Sequence, residues 1–110
     1  MQPKQIFTNA DISGDLTSEA VDISHLKGFS IELDWTTSDC EGTFAVELSN
    51  TGNTWNPIPA DQLTATAAIE GADGTGTIEL TTQMAKVRVT FTNTAGATGT
   101  LNGWIGGKAI

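Results

Sequence analysis

The chain holds one cysteine, Cys40, and one histidine, His25, and these are the obvious candidates for nucleophilic chemistry. A thiol acts as a nucleophile when a base lies beside it. Nothing in the spacing brings His25 to Cys40, so His25 is expected to face solvent or to hydrogen-bond locally. One Cys and one His also fall short of the usual four-ligand zinc site. Carboxylates are more plentiful. Asp39 and Glu41 flank Cys40, and Asp73 lies in the run Gly71-Ala-Asp-Gly-Thr-Gly. Calcium takes about six to eight oxygen ligands. The spacing here matches no known calcium loop, so these residues are expected to be solvated turn acids. The same glycine run lacks the lysine and following helix of a phosphate-binding loop. A glycosidase pair of carboxylates needs a cleft, and short loops offer little wall for one. The expectation is no catalytic residue, no metal, no cofactor, and no enzyme.

The tryptophans offer a different chemistry. Trp35 continues an apolar alternation and is expected in the core. Trp55 lies in Asn53-Thr-Trp-Asn-Pro57, just after a turn, and Trp104 lies near the end of the chain. Aromatic side chains at such places stack on sugar rings or anchor protein interfaces, and they also cap the ends of sandwiches. Trp55 and Trp104 are the two candidate interaction residues.

These residues must be carried by strands. Phe29, Ile31, Leu33 and Trp35 alternate with Ser30, Glu32 and Asp34, which puts the apolar side chains on one face. Phe44, Val46 and Leu48 repeat the pattern, as do Val87, Val89 and Phe91, and Ile78 and Leu80 flank Glu79. Residues 5–8, 20–23, 64–70 and 100–105 carry weaker alternation, and Gly103 weakens the last of these. Short helical turns are expected at 24–27 and 61–63. Turn-forming residues at 38–42, 50–53, 71–74 and 93–96 separate the segments at even intervals. No long amphipathic helix is visible. The predicted fold is all-β, a sandwich of about eight short antiparallel strands, jelly-roll or Ig-like. Residues 1–17 hold few core candidates and are expected to form an N-terminal arm or edge strand. Residues 18–110 form the single sandwich domain. Glu32, Asp34, Glu47 and Arg88 project outward, where Arg88 can pair across strands with an acid, for about 0.2–1 kcal/mol.

Composition narrows the partners. At 110 residues the chain suits one domain. Its net charge of −8, with five scattered basic residues, disfavours nucleic acid and anionic membrane surfaces. A lone cysteine allows no intrachain disulfide, which favours folding in a reducing cytoplasm. No signal-peptide pattern opens the chain, and no stretch reaches the length of a membrane span.

Four stretches carry a family resemblance. They are Ala20-Val-Asp-Ile-Ser-His-Leu-Lys-Gly-Phe-Ser-Ile-Glu-Leu-Asp-Trp35, Gly42-Thr-Phe-Ala-Val-Glu-Leu-Ser-Asn50, Thr51-Gly-Asn-Thr-Trp-Asn-Pro-Ile58, and Ala85-Lys-Val-Arg-Val-Thr-Phe-Thr-Asn93 with Gly99-Thr-Leu-Asn102. Together they resemble small β-sandwich structural proteins of tailed bacteriophage virions, of the head decoration, cement or fibre type. The third is similar to a Ser-Asn-Asp-Gly-x-x-Trp turn of such proteins, with Thr51 in place of the Asp. The resemblance implies a capsid decoration or cement protein that self-associates, as a homotrimer, and contacts the major capsid protein or another virion protein. It implies a location in the virion after synthesis in the host bacterial cytoplasm. It carries over no catalytic residue and gives Trp55 a core or turn-packing role. Similar elements occur in discoidin-like carbohydrate binders. The alternative is therefore a carbohydrate-binding module on a fibre or surface protein, its site built from Trp55, Trp104 and neighbouring acids.

Overall fold

The four clearest alternating segments all become strands, and each strand is longer than its apolar alternation alone. The computed structural model describes residues 3–58, 68–82 and 84–109. The chain forms β1 (Lys4–Asp11), β2 (Leu16–Thr17), β3 (Val21–Asp22), β4 (Leu26–Thr36), β5 (Glu41–Ser49), β6 (Asn56–Pro57), β7 (Ala68–Glu70), β8 (Gly74–Leu80), β9 (Lys86–Ala95) and β10 (Thr100–Ala109). The described residues contain no helix. The predicted turn at 24–27 is a tight hydrogen-bonded turn in which Leu26 N–H donates to the Ile23 carbonyl, and β4 starts at once. The predicted turn at 61–63 and most of the predicted strand at 64–70 lie outside the described residues.

Two antiparallel sheets face each other. One has the order β1-β10-β4-β8. The other is built on β9 and β5. Along the free edge of β9, β2 pairs with Phe91 and Thr90, and β3 with Val87 and Lys86. Along the free edge of β5, β6 pairs with Leu48 and Glu47, and β7 with residues 41–43. Each of these short pairs lies end to end and acts as one interrupted edge strand. Ser18 spans the gap between β2 and β3: its N–H donates to the Val89 carbonyl, and its hydroxyl accepts from Val89 N–H. Counted this way there are eight strand positions. In chain order, sheets 1-8-3-6 and 2-7-4-5 make a jelly roll, which decides between the two topologies the sequence left open.

The inner faces form one core. Ile12, Ile31, Leu33, Val46, Val87, Val89, Phe91, Leu101 and Ile105 are almost completely removed from solvent. Phe44 bridges the tryptophan and phenylalanine clusters, with ring centroids 5.8 Å from Trp35 and 5.1 Å from Phe91. The N-terminal segment is part of this core: Ile6, Phe7 and Ile12 are buried, where few core residues were expected. Periodicity missed them because β1 is kinked. Its register with β10 shifts on both sides of Phe7, and Asn9 takes a positive φ of 45°, so apolar side chains do not alternate there.

Glycines at two inward positions make room for rings. A Cβ on Gly103 would lie 3.1 Å from both Leu33 and Phe7, the close approach its place in a strand indicated. A Cβ on Gly42 would press into the Phe91 ring and lie 2.5 Å from the Thr92 carbonyl oxygen. Gly42→Ala is expected to destabilise the fold by about 1–3 kcal/mol through overpacking. Gly14→Ala, where a Cβ meets nothing within 4 Å, is expected to leave the urea midpoint close to wild type.

Candidate functional site

Cys40 and His25 do not meet. They sit beyond opposite ends of β4, an 11-residue strand, roughly 30 Å apart at about 3.3 Å per residue. His25 is exposed. Cys40 is fully buried, with its Sγ 3.0 Å from the Thr98 carbonyl oxygen and 3.7 Å from that of Ile12.

Around Cys40, four loops are stitched together. The Thr37 hydroxyl donates to the Thr98 carbonyl at 2.6 Å and accepts from Cys40 N–H at 2.9 Å. Thr37 N–H donates to the Asp73 carboxylate at 2.8 Å, and Gly71 N–H donates to the Cys40 carbonyl. Asp39 accepts from Ala97 N–H, Thr98 N–H and the Thr98 hydroxyl. The Asn93 amide donates to the Ile12 carbonyl at 2.6 Å, and Asn93 N–H donates to Asp15. Gly96 adopts φ 87° and packs against the Asp39 backbone, a place no side chain fits. Asp39 and Asp73, expected as solvated turn acids, are hydrogen-bond acceptors that tie the turns together. The run that begins at Gly71 is a loop only as far as Asp73, since Gly74, Thr75 and Gly76 belong to β8.

The two candidate tryptophans stand on different sheets, facing away from each other. Trp55 lies over the outer face of the β9-β5 sheet, its ring centroid 4.4 Å from the Arg88 guanidinium carbon. Its indole N–H donates to the Gly52 carbonyl at 3.2 Å. Arg88 in turn pairs with Glu47, directly opposite across the strands, at 2.7 Å. Glu47 is thus the acid that Arg88 selects, and Trp55 is packed onto its own turn and that ion pair. A single site containing both Trp55 and Trp104 is therefore ruled out by the geometry.

Trp104 is placed differently. On β10 it alternates with buried Gly103 and Ile105, so its indole lies half-buried on the outer face of the β1-β10-β4-β8 sheet. In register it stands between Gln5 on β1 and Glu32 on β4. Beside it runs a groove of about 560 Å³ lined by Pro3, Ser30, Glu32, Trp104, Gly106 and Gly107. The indole N–H of Trp35 donates to the Ala72 carbonyl and that of Trp55 to Gly52. Among the described residues, the indole N–H of Trp104 has no partner, and neither do the carboxylates of Glu32 and Asp34. Neighbouring amides are committed: Gln5 donates to Asn102, and Asn102 exchanges hydrogen bonds with the kinked Asn9. Trp104 lies within β10 and caps no end of the sandwich. What separates the two tryptophans is the local hydrogen bonding of their turns and strands, which residue type alone does not carry.

This is a jelly-roll β-sandwich with an open, acidic sheet face and a single half-exposed indole upon it. No protein-family model matches the chain, and no curated protein matches it by sequence. By structure it is similar to the CBM22-1 xylan-binding domain of Paenibacillus barcinonensis Xyn10C, with 12% identity and a TM-score of 0.50 over 99% of this chain and 84% of that one. It is likewise similar to a chain of the infectious bursal disease virus Gx strain, with 14% identity and a TM-score of 0.50. That match covers 96% of this chain and 32% of the viral one, so the domain spans about a third of the viral chain. At these identities the likeness concerns the fold.

The acids that hold turns respond to pH. Asp39 is lowered from its ordinary pKa chiefly by the Thr98 hydroxyl, then by Ala97 N–H. Asp22 is lowered by the Ser24 hydroxyl and then its N–H, and Asp11 by the Ser13 N–H and then its side chain. Carboxylates lowered on folding stabilise the protein above their unfolded pKa, and that stabilisation is lost as pH falls through the folded value. The urea midpoint is therefore expected to fall below about pH 4. Asp39→Asn is expected to be less stable at neutral pH and to lose less on acidification, so that the two titration curves converge at low pH.

Proposed function

We propose that the chain is a non-catalytic structural domain of a virion, a head decoration or cement protein that joins subunits by surface contact. The observation that carries this reading is how its reactive side chains are used. Cys40, Asp39 and Asp73 are engaged in holding loops, and His25 is exposed, far from Cys40. What the fold turns outward are broad sheet faces and edge strands, which serve contact and not turnover. Jelly rolls recur as shell-building and lectin domains, and the likeness in fold to the infectious bursal disease virus chain supports the shell reading. The sequence resemblance to tailed-phage virion proteins adds the kind of particle. The proposed partners are further copies of the chain, as a homotrimer, and the major capsid protein or another virion protein. The proposed setting is the virion, after synthesis in the bacterial cytoplasm. The mechanism is linkage: surface buried only in the assembled shell stabilises that state by mass action.

A second reading, a carbohydrate-binding module, is supported by the indole N–H of Trp104, which has no partner among the described residues and lies on a polar face, and by the likeness in fold to a xylan-binding domain.

The shell reading is tested by sedimentation velocity at micromolar concentration and by cosedimentation with phage heads assembled in the same cell. A trimer that pellets with the heads is the expected result. A strict monomer that stays in the supernatant would overturn it.

A further inference from the structure

We infer that the outer face of the β1-β10-β4-β8 sheet at Trp104 is a binding site for a neutral polysaccharide. The inference rests on the carbohydrate reading and adds the site, the ligand class and the residues.

Four observations meet at this place. First, the indole of Trp104 lies on a sheet, half-covered by its neighbours, so its flat face is held in one orientation at little entropic cost. Second, its N–H and the carboxylate of Glu32, directly opposite on β4 and part of the groove wall, have no partner among the described residues, which leaves a donor and an acceptor group at the same place. Third, Gly106 carries no side chain two residues along the same strand, so a slot stays open beside the ring, floored by the sheet and bordered by Pro3 and Ser30. Fourth, this face carries acids in a chain of net charge −8.

A pyranose matches these features. One side of the ring presents aliphatic C–H groups that pack on an indole, while its equatorial hydroxyls both donate and accept at the rim. Hydroxyl donors suit Glu32, and a hydroxyl acceptor suits the indole N–H. The acids repel uronate or sulfate groups, which restricts the ligand to neutral chains.

The test is affinity electrophoresis of the intact chain in gels containing neutral glucan, mannan or xylan, with alginate and polygalacturonate as anionic counterparts. Three variants are compared. Trp104→Ala removes the stacking surface. Gly106→Val narrows the slot, and the atoms nearest to a Cβ there are those of Pro3, at an ordinary van der Waals distance of 3.8 Å. Trp55→Ala alters the other sheet. The wild type is expected to be retarded by at least one neutral polymer and by neither anionic one. Trp104→Ala and Gly106→Val are expected to weaken retardation by at least about tenfold, the scale of a central aromatic anchor. Trp55→Ala is expected to bind like wild type, and circular dichroism checks that each variant is folded. Retardation by a neutral polymer that survives both Trp104→Ala and Gly106→Val would overturn this site and leave the carbohydrate reading standing. No retardation by any neutral polymer would overturn both. Retardation by the anionic polymers would overturn the ligand class.

Discussion

The whole arrangement depends on two inner sheet faces that must meet without a gap. Every long strand alternates, so its register decides at once which side chains enter the core and which face water. β4 is the clearest case. Phe29, Ile31, Leu33 and Trp35 go inward, and Ser30, Glu32, Asp34 and Thr36 go outward. A slip of one residue in the pairing of β4 with β10 would bury Glu32 and Asp34 and expose Ile31 and Leu33. Burying unpaired carboxylates costs far more than any alternative pairing returns. The glycines sharpen the choice. Gly42 fits under the Phe91 ring and Gly103 between Leu33 and Phe7, so register is set by complementary size as well as by polarity.

One end of the sandwich takes on a second task. The seven connections of an eight-position jelly roll fall four at one end and three at the other, and strand pairing does not hold them. At the Cys40 end the chain joins them through short side chains that reach backbone groups: Thr37 to Thr98, Asp39 to Ala97 and Thr98, Asp73 to Thr37, and Asn93 to Ile12. Hydrogen bonds of this kind are individually worth only about 0.5–1.5 kcal/mol net. Their main effect is to leave few buried polar groups unpaired, and no buried side-chain nitrogen or oxygen among the described residues lacks a partner. The residues most suggestive of chemistry in the sequence, an acid–thiol–acid triplet and a glycine-rich acid loop, are the material of this end. Reactivity and loop-holding call for the same side chains, so composition cannot tell them apart.

The long strands were legible because burial on one face forces a period of two. The short ones were not. β2 and β6 are two residues each, too short to show a period, and β2 is continued by a serine hydroxyl in place of a backbone group. The N-terminal strand hid its core residues behind a kink at Asn9, which breaks alternation while still delivering Ile6, Phe7 and Ile12 inward. Topology was legible only to the level of a sandwich. Strand order depends on which edges pair across long sequence distances, and local pattern does not encode that. The ion pair of Arg88 was foreseeable as a type but not as a partner. Glu47 was one of three outward acids, and the register of β5 against β9 selects it.

The three tryptophans show where residue-level reading ends and geometry takes over. All three indoles have the same ring and the same single donor. Trp35 buries its ring and gives its N–H to the Ala72 carbonyl, so it contributes to the core and to the adjoining loop. Trp55 gives its N–H to Gly52 and lays its ring over Arg88, so the turn, the ion pair and the ring hold one another. Trp104 has its place fixed by the β10 backbone, yet its donor is not taken up by the described residues. Because no buried side-chain nitrogen or oxygen among the described residues lacks a partner, that open donor faces water. The same group therefore fastens a loop at Trp35, fastens a turn at Trp55 and is left to solvent at Trp104, and only the backbone around each ring decides which.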